Sequence, residues 1–104
     1  MKKLLLLPVL ALLITSCGPK EIEPGMTTEA KYKHLCSSCH ESGHGGAPIT
    51  FRADEWAPKI AKGMDVMLKN VKEGIGRMPA GGRCVNCTDE DYVDMIKYMS
   101  RPNL

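Results

Sequence analysis

Five cysteines, three histidines and seven methionines are the side chains of this 104-residue chain best suited to holding a metal or a covalent cofactor. Their spacing sorts them. Cys36-Ser37-Ser38-Cys39-His40 is a C-x-x-C-H run, the attachment signature of c-type haem. Two thiols one helical turn apart can each add across a haem vinyl group, and His40 is then held beneath the iron as its proximal ligand. A C-x-x-C pair that forms a disulfide, or half of a zinc site, is the plainer reading. The adjoining histidine and an export signal favour haem.

An iron ligated by His40 needs a sixth ligand. The candidates are Met26, Met64, Met67, Met78, Met95 and Met99, with His34 and His44. Met78 alone among these methionines stands in a Gly/Pro loop outside any apolar stripe, where it can approach the iron from the opposite face. Met/His ligation raises the reduction potential, because thioether sulfur favours ferrous iron. His34 precedes the motif on the same helix and is expected to be exposed. His44 is too close in sequence to His40 to reach the other face easily.

Cys84-Val85-Asn86-Cys87 is a second C-x-x-C. It can be a reactive dithiol, half of a Cys₄ zinc site with Cys36 and Cys39, or a local disulfide bracing the loop that carries Met78. In an oxidising compartment the disulfide is the default, with a modest entropic gain because the closed loop is short.

The fifth cysteine, Cys17, ends an export segment. Met1-Lys2-Lys3 is basic, Leu4 to Ile14 is apolar apart from Pro8, and Thr15 and Ser16 are small. The run is too short to span a bilayer comfortably. Ile14-Thr15-Ser16-Cys17 resembles the lipobox of bacterial lipoproteins, which implies acylation of Cys17 and stable anchoring through more than one chain. Gly18 in place of aspartate resembles the outer-membrane sorting pattern; a soluble periplasmic protein is the alternative. The expected organisation is therefore a signal peptide over 1–16, a lipid-anchored tether over 17–27 and one domain over 28–104. The Gly- and Pro-containing residues 18–27 can reach about 35 Å when extended.

Loss of residues 1–16 removes Lys2 and Lys3 and no acids, so 12 acidic residues face an equal number of basic ones. Nothing in that balance suggests nucleic acid. The cluster Asp89, Glu90, Asp91 and Asp94 reads as a helix start. With one Phe and one Trp the core is thin, and domains of this size commonly need a disulfide, a metal or a cofactor.

The elements that must position these groups are helical. Thr27 or Thr28 can cap a helix through Tyr32 and Leu35 into Cys36, and residues 41–49 form a loop. Asp54 is the expected N-cap of a short helix containing Trp56, with Pro58 tolerable only near its first turns. Met64, Met67, Leu68 and Val71 make one apolar stripe closed by Gly74, and read as core. Residues 74–87 are irregular. Thr88 and Asp91 suggest a capping box opening a last helix with Tyr92, Met95, Ile96 and Met99 inward. The fold class is all-α, with three to five short helices.

The order CxxCH, GGAP, Trp, a Gly-bounded helix, MPxGG and a C-terminal helix resembles class I c-type cytochromes. Residues 78–87, MPAGGRCVNC, resemble the cytochrome c5 branch, which carries an extra CxxC disulfide after its methionine ligand. The resemblance covers residues 28–100. It implies about four helices around one covalent haem c, with the first and last helices crossing. Cys36 and Cys39 correspond to the thioether cysteines, and His40 and Met78 to the iron ligands. Cys84 and Cys87 correspond to the disulfide. Pro48 matches the proline whose carbonyl accepts a hydrogen bond from His40 Nδ1–H. Trp56 matches an aromatic on the propionate side, and Tyr98 one that packs on the first helix. Thr28 stands where many relatives have Gly.

The function expected is electron transfer between unidentified redox proteins on the periplasmic side of a membrane, not enzymatic catalysis. Arg77 and Arg83 either steer an acidic partner or are ordinary solvated arginines. The alternatives are a haem sensor with a displaceable sixth ligand and a zinc-binding lipoprotein using Cys36, Cys39, Cys84 and Cys87.

Overall fold

The computed structural model describes residues 18–102. The export segment and Cys17 lie outside the described residues. Five α-helices follow in order: α1 Thr28–Leu35, α2 Ser37–His40, α3 Ala53–Ile60, α4 Met64–Glu73 and α5 Asp89–Ser100. Two 3-10 turns, His44–Gly46 and Ala80–Arg83, punctuate the loops. No strand occurs among the described residues, only the isolated bridges Lys20–Cys84 and Ile75–Met78. The described residues form an all-α fold, as expected.

Local chemistry sets the helix ends. The Thr27 hydroxyl accepts the Ala30 N–H and starts α1. Gly63 and Gly74 bracket α4 with positive φ of 96° and 84°. Thr88 and Asp91 form a complete capping box on α5, each side chain taking the other's backbone N–H.

α3 departs from expectation. Its N-cap is Arg52, without a side-chain cap, and Asp54 lies within the first turn. The cause is upstream. Residues 49 and 50 are hydrogen-bonded in place, Phe51 turns the chain at φ 67°, and helical bonds begin at once with Glu55 and Trp56 N–H on the Arg52 carbonyl. Pro58 is the sixth residue of α3 rather than one of its first, leaving the Asp54 carbonyl without an intrahelical donor. Asp54 is exposed, so water can take that role.

The core joins α1, α3, α4 and α5: Tyr32, Leu35, Trp56, Met67, Tyr92, Met95, Ile96 and Met99 are buried. Met64, Leu68 and Val71 pack against it from α4. The Tyr32 and Tyr98 rings meet at 5.0 Å between α1 and α5. Lys31 Nζ lies 2.7 Å from Asp91 Oδ1, tying the same two helices.

That ion pair predicts a pH dependence. Lys31, then the Thr88 backbone N–H, hold the Asp91 carboxyl below its ordinary 3.8. A depressed folded value adds stability that is complete above the unfolded value and is lost as pH falls through the folded one. Asp91→Ala should lose about 1–2 kcal/mol at neutral pH from the cap and the pair. Urea denaturation should show the gap between the two proteins closing below pH 4. A gap unchanged down to pH 2 would assign the effect to packing instead.

Within the segment expected as a tether, Lys20 and Ile22 pair with a loop of the domain. Lys20 N–H donates to the Arg83 carbonyl at 2.8 Å, and Val85 N–H to the Lys20 carbonyl at 3.0 Å. Asn86 exchanges two 2.9 Å bonds with the Ile22 backbone. Ile22 also packs against the core. Backbone amides that the sequence leaves without an obvious partner find theirs on the 83–86 loop.

Candidate functional site

α1 ends at Leu35, and Cys36 serves both as its C-cap and as the residue that opens the four-residue α2. The Cys39 and His40 N–H groups both turn back to the Cys36 carbonyl, at 3.3 and 3.0 Å, so the motif is one tight turn. Cys36 and Cys39 are free thiols. Burial, then the neighbouring Cys39, pushes the Cys36 thiol up to about 12. Its sulfur lies 3.7 Å from the Met95 sulfur of α5.

His40 is buried, and its Nδ1 is 2.8 Å from the Pro48 carbonyl. A carbonyl only accepts, so Nδ1 carries the proton and Nε2 keeps its lone pair. Burial lowers the imidazole pKa and the Pro48 bond partly offsets this, which favours the neutral, metal-binding ring. Nε2 is the donor an iron centre takes.

Residues 48–50 form the buckle that fixes this ring. Ile49 N–H donates to Glu55 Oε2 at 2.9 Å, and Trp56 Nε1–H donates to the Ile49 carbonyl at 2.8 Å. Thr50 returns its N–H and its hydroxyl to the His40 carbonyl, at 2.8 and 3.1 Å, and receives the Tyr32 hydroxyl at 2.8 Å. The Trp56 ring stacks on His40 at 5.5 Å. The family resemblance assigns Trp56 to the propionate side; here its ring packs on His40 and its N–H is engaged by Ile49. Glu55, Thr50 and Tyr32 belong to the same support and had no motif to reveal them.

Met78 lies on the irregular stretch between α4 and α5, half-buried. The Ile75 and Met78 backbones bond reciprocally at 3.2 and 2.9 Å, closing a small turn just after Gly74. Buried Tyr92 donates its hydroxyl to the Gly81 carbonyl at 3.0 Å, and burial raises its pKa, so it stays a donor. Gly81 and Gly82 adopt positive φ of 66° and 56°, and a Cβ on Gly82 would lie 4.0 Å from Met78 Cε. Arg77 lays its stem over Gly45 of the histidine-side loop, 3.2 Å from where a Cβ would sit. Of the other candidates, Met67, Met95 and Met99 are buried in the core, Met64 packs against it, and Met26 sulfur takes the Glu23 N–H at 3.2 Å. His34 and His44 are exposed.

Cys84 and Cys87 are joined as a disulfide. Their sulfurs cannot then serve a Cys₄ site, and no group of three or more His, Cys, Asp or Glu side chains converges among the described residues. The zinc alternative fails on that geometry. What remains is two free thiols, a neutral imidazole with an open lone pair and a thioether on a separate loop, a donor set that fits an iron porphyrin held covalently.

Comparison with known proteins agrees. Residues 23–99 match the family described as cytochrome C oxidase, cbb3-type, subunit III. Cytochrome c-555 of Chlorobaculum thiosulfatiphilum is 40% identical over 75 residues, covering 68% of this chain and 87% of that protein. Cytochrome c5 of Ectopseudomonas mendocina is 34% identical, covering 65% and 79%. The mono-haem ferrocytochrome c of Shewanella putrefaciens superposes with a TM-score of 0.67 at 44% identity, over 75% of this chain and 96% of that one. A cytochrome c solved in an electron-transfer complex with nitrite reductase superposes with a TM-score of 0.65 at 32% identity, over 76% and 94%.

Proposed function

Since this chain belongs to the cytochrome c5-like family of class I monohaem cytochromes c and carries one covalent haem c, we propose that it is a one-electron carrier with His40 and Met78 as axial ligands. The observation that carries the ligand assignment is the Nδ1–H bond from His40 to Pro48, which frees Nε2 for iron. Cys36 and Cys39 supply the thioether sulfurs. The haem supplies an iron that cycles between ferrous and ferric states.

The residues of the chain do the rest. Pro48, Thr50 and Trp56 fix the plane of the His40 ring, so little rearrangement is needed when charge on the metal changes. With His40 and Met78 both holding the iron, no coordination site would be left open for substrate, which supports a carrier rather than an enzyme. Ile75 and Arg77, beside Met78 in the chain, are exposed, as is Val85 later in the same loop, and together they offer apolar and basic side chains suited to brief contact with a redox protein. One relative meets nitrite reductase in an electron-transfer complex, and an analogous partner is proposed here.

The leader pattern of residues 1–16 and the Cys84–Cys87 bond, of a kind that persists where conditions are oxidising, support an exported protein. The proposed site is the periplasmic side of a bacterial membrane, with Cys17 as a lipid anchor.

The test is an absorption and potentiometric titration of protein matured with haem-attachment machinery. Expected are sharp reduced bands, a weak far-red sulfur-to-iron band in the ferric state and one reversible one-electron wave. A five-coordinate ferrous spectrum with tight binding of carbon monoxide would replace this reading with a ligand-binding sensor.

A further inference from the structure

The N-terminal segment touches both halves of the site. On one side, Lys20 Nζ donates to the His34 carbonyl at 2.9 Å, and His34 Nε2–H donates to the Glu21 carbonyl at 3.0 Å. His34 lies two residues before Cys36, at the end of the helix that leads into the histidine ligand. On the other side, the Lys20 backbone pairs with Arg83 and Val85, and Ile22 pairs with Asn86 through both atoms of its side-chain amide. Arg83 to Asn86 lie in the loop that follows Met78.

We propose that Lys20–Ile22 is a strut that sets the spacing between the His40 and Met78 sides of the haem, with Asn86 and His34 as its positioning residues. The inference rests on Met78 as sixth ligand. The Met78 loop holds only a short 3-10 turn and one isolated bridge, so its position depends on what it is fastened to. Tyr92 fastens it to α5, and the disulfide closes the loop on itself. The strut fastens it to α1, independently of the polypeptide that runs through α3 and α4. Asn86 suits this role because its amide offers one acceptor and one donor at fixed separation, matching the N–H and C=O of a single backbone residue.

Imidazole added to the ferric holoprotein tests this, because it binds iron only when Met78 is off. Its apparent affinity therefore reports the fraction of molecules in which the loop has moved away. Asn86→Ala and His34→Ala should each tighten imidazole binding, by on the order of tenfold for Asn86→Ala. Lys31→Ala, which loosens the α1–α5 packing elsewhere, should leave it within about twofold. The far-red band must be present in the unaltered protein. If it is absent, Met78 is not the ligand, and both readings fall together. If it is present and Asn86→Ala binds imidazole no more tightly, the strut alone is overturned. Equal tightening by Lys31→Ala would also overturn it, by showing a general loosening.

Discussion

Met78→His should convert the centre to bis-histidine ligation, abolish the far-red ferric band and lower the reduction potential by about 0.2 V, a quarter of the roughly 0.8 V that axial ligands command. The direction follows from the thioether, which favours ferrous iron; an imidazole in its place favours ferric. No other methionine should substitute. Met67, Met95 and Met99 fill the core, and drawing one out would leave a cavity. Met95 is the informative control, since its sulfur is 3.7 Å from Cys36. Met95→Leu should keep the band and the potential while losing some stability. Potentiometry with optical detection reads both variants. A Met78→His protein with an unaltered potential, or a Met95→Leu protein without the band, would reassign the sixth ligand.

Gly74→Ala should be the most damaging single methyl group in the loop. A Cβ at this position would stand 2.9 Å from the Met78 carbonyl oxygen and 3.0 Å from Ala80 N, both backbone atoms with no rotamer to change. The position also has φ 84° and ψ 152°, a region that side chains strongly disfavour. Strain and contact together should lower stability by about 2–4 kcal/mol. The atoms that would be displaced belong to Met78 and its neighbours, so the variant should also lose far-red intensity before it unfolds. Gly76→Ala provides the contrast. Its φ is 57°, yet nothing lies within 4 Å of its Cβ, so only the smaller backbone strain applies. Thermal denaturation followed at the Soret and far-red bands would separate the two. Equal losses in both variants would show that backbone strain alone matters.

Local signals were legible in the sequence, and non-local pairings were not. The Thr88–Asp91 capping box, the Met64–Val71 stripe and the Gly63 and Gly74 boundaries each act within a few residues, so spacing reveals them. The N-cap at Arg52 was missed because α3 begins where the anchored 48–50 buckle forces it, not where the best capping side chain stands. The donor groups were visible because C-x-x-C-H is a contiguous chemical requirement. Apart from Pro48, their supports were not: Tyr32 reaches Thr50 across 18 residues, and Ile22 reaches Asn86 across 64. Such contacts use irregular backbone and single side chains, which leave no period to read. Residues 18–27 looked like a tether for the same reason. Their Gly, Pro and charge describe a segment without its own structure, which does not stop its amides from pairing with another loop.

Gly18 and Pro19 line a shallow cleft with Ala80, Arg83, Cys84 and Val85, beside the Met78 loop. If the Met78 loop faces the redox partner as proposed, Gly18, where the described residues begin, stands at that end of the molecule. With a lipid on Cys17, the attachment would act as a short pivot at that end. The carrier could swivel but not drift from the bilayer, and that end would sweep a narrow annulus of membrane. Partners embedded in the same leaflet would meet it at a high effective concentration, while freely diffusing ones would have to enter the gap beneath it.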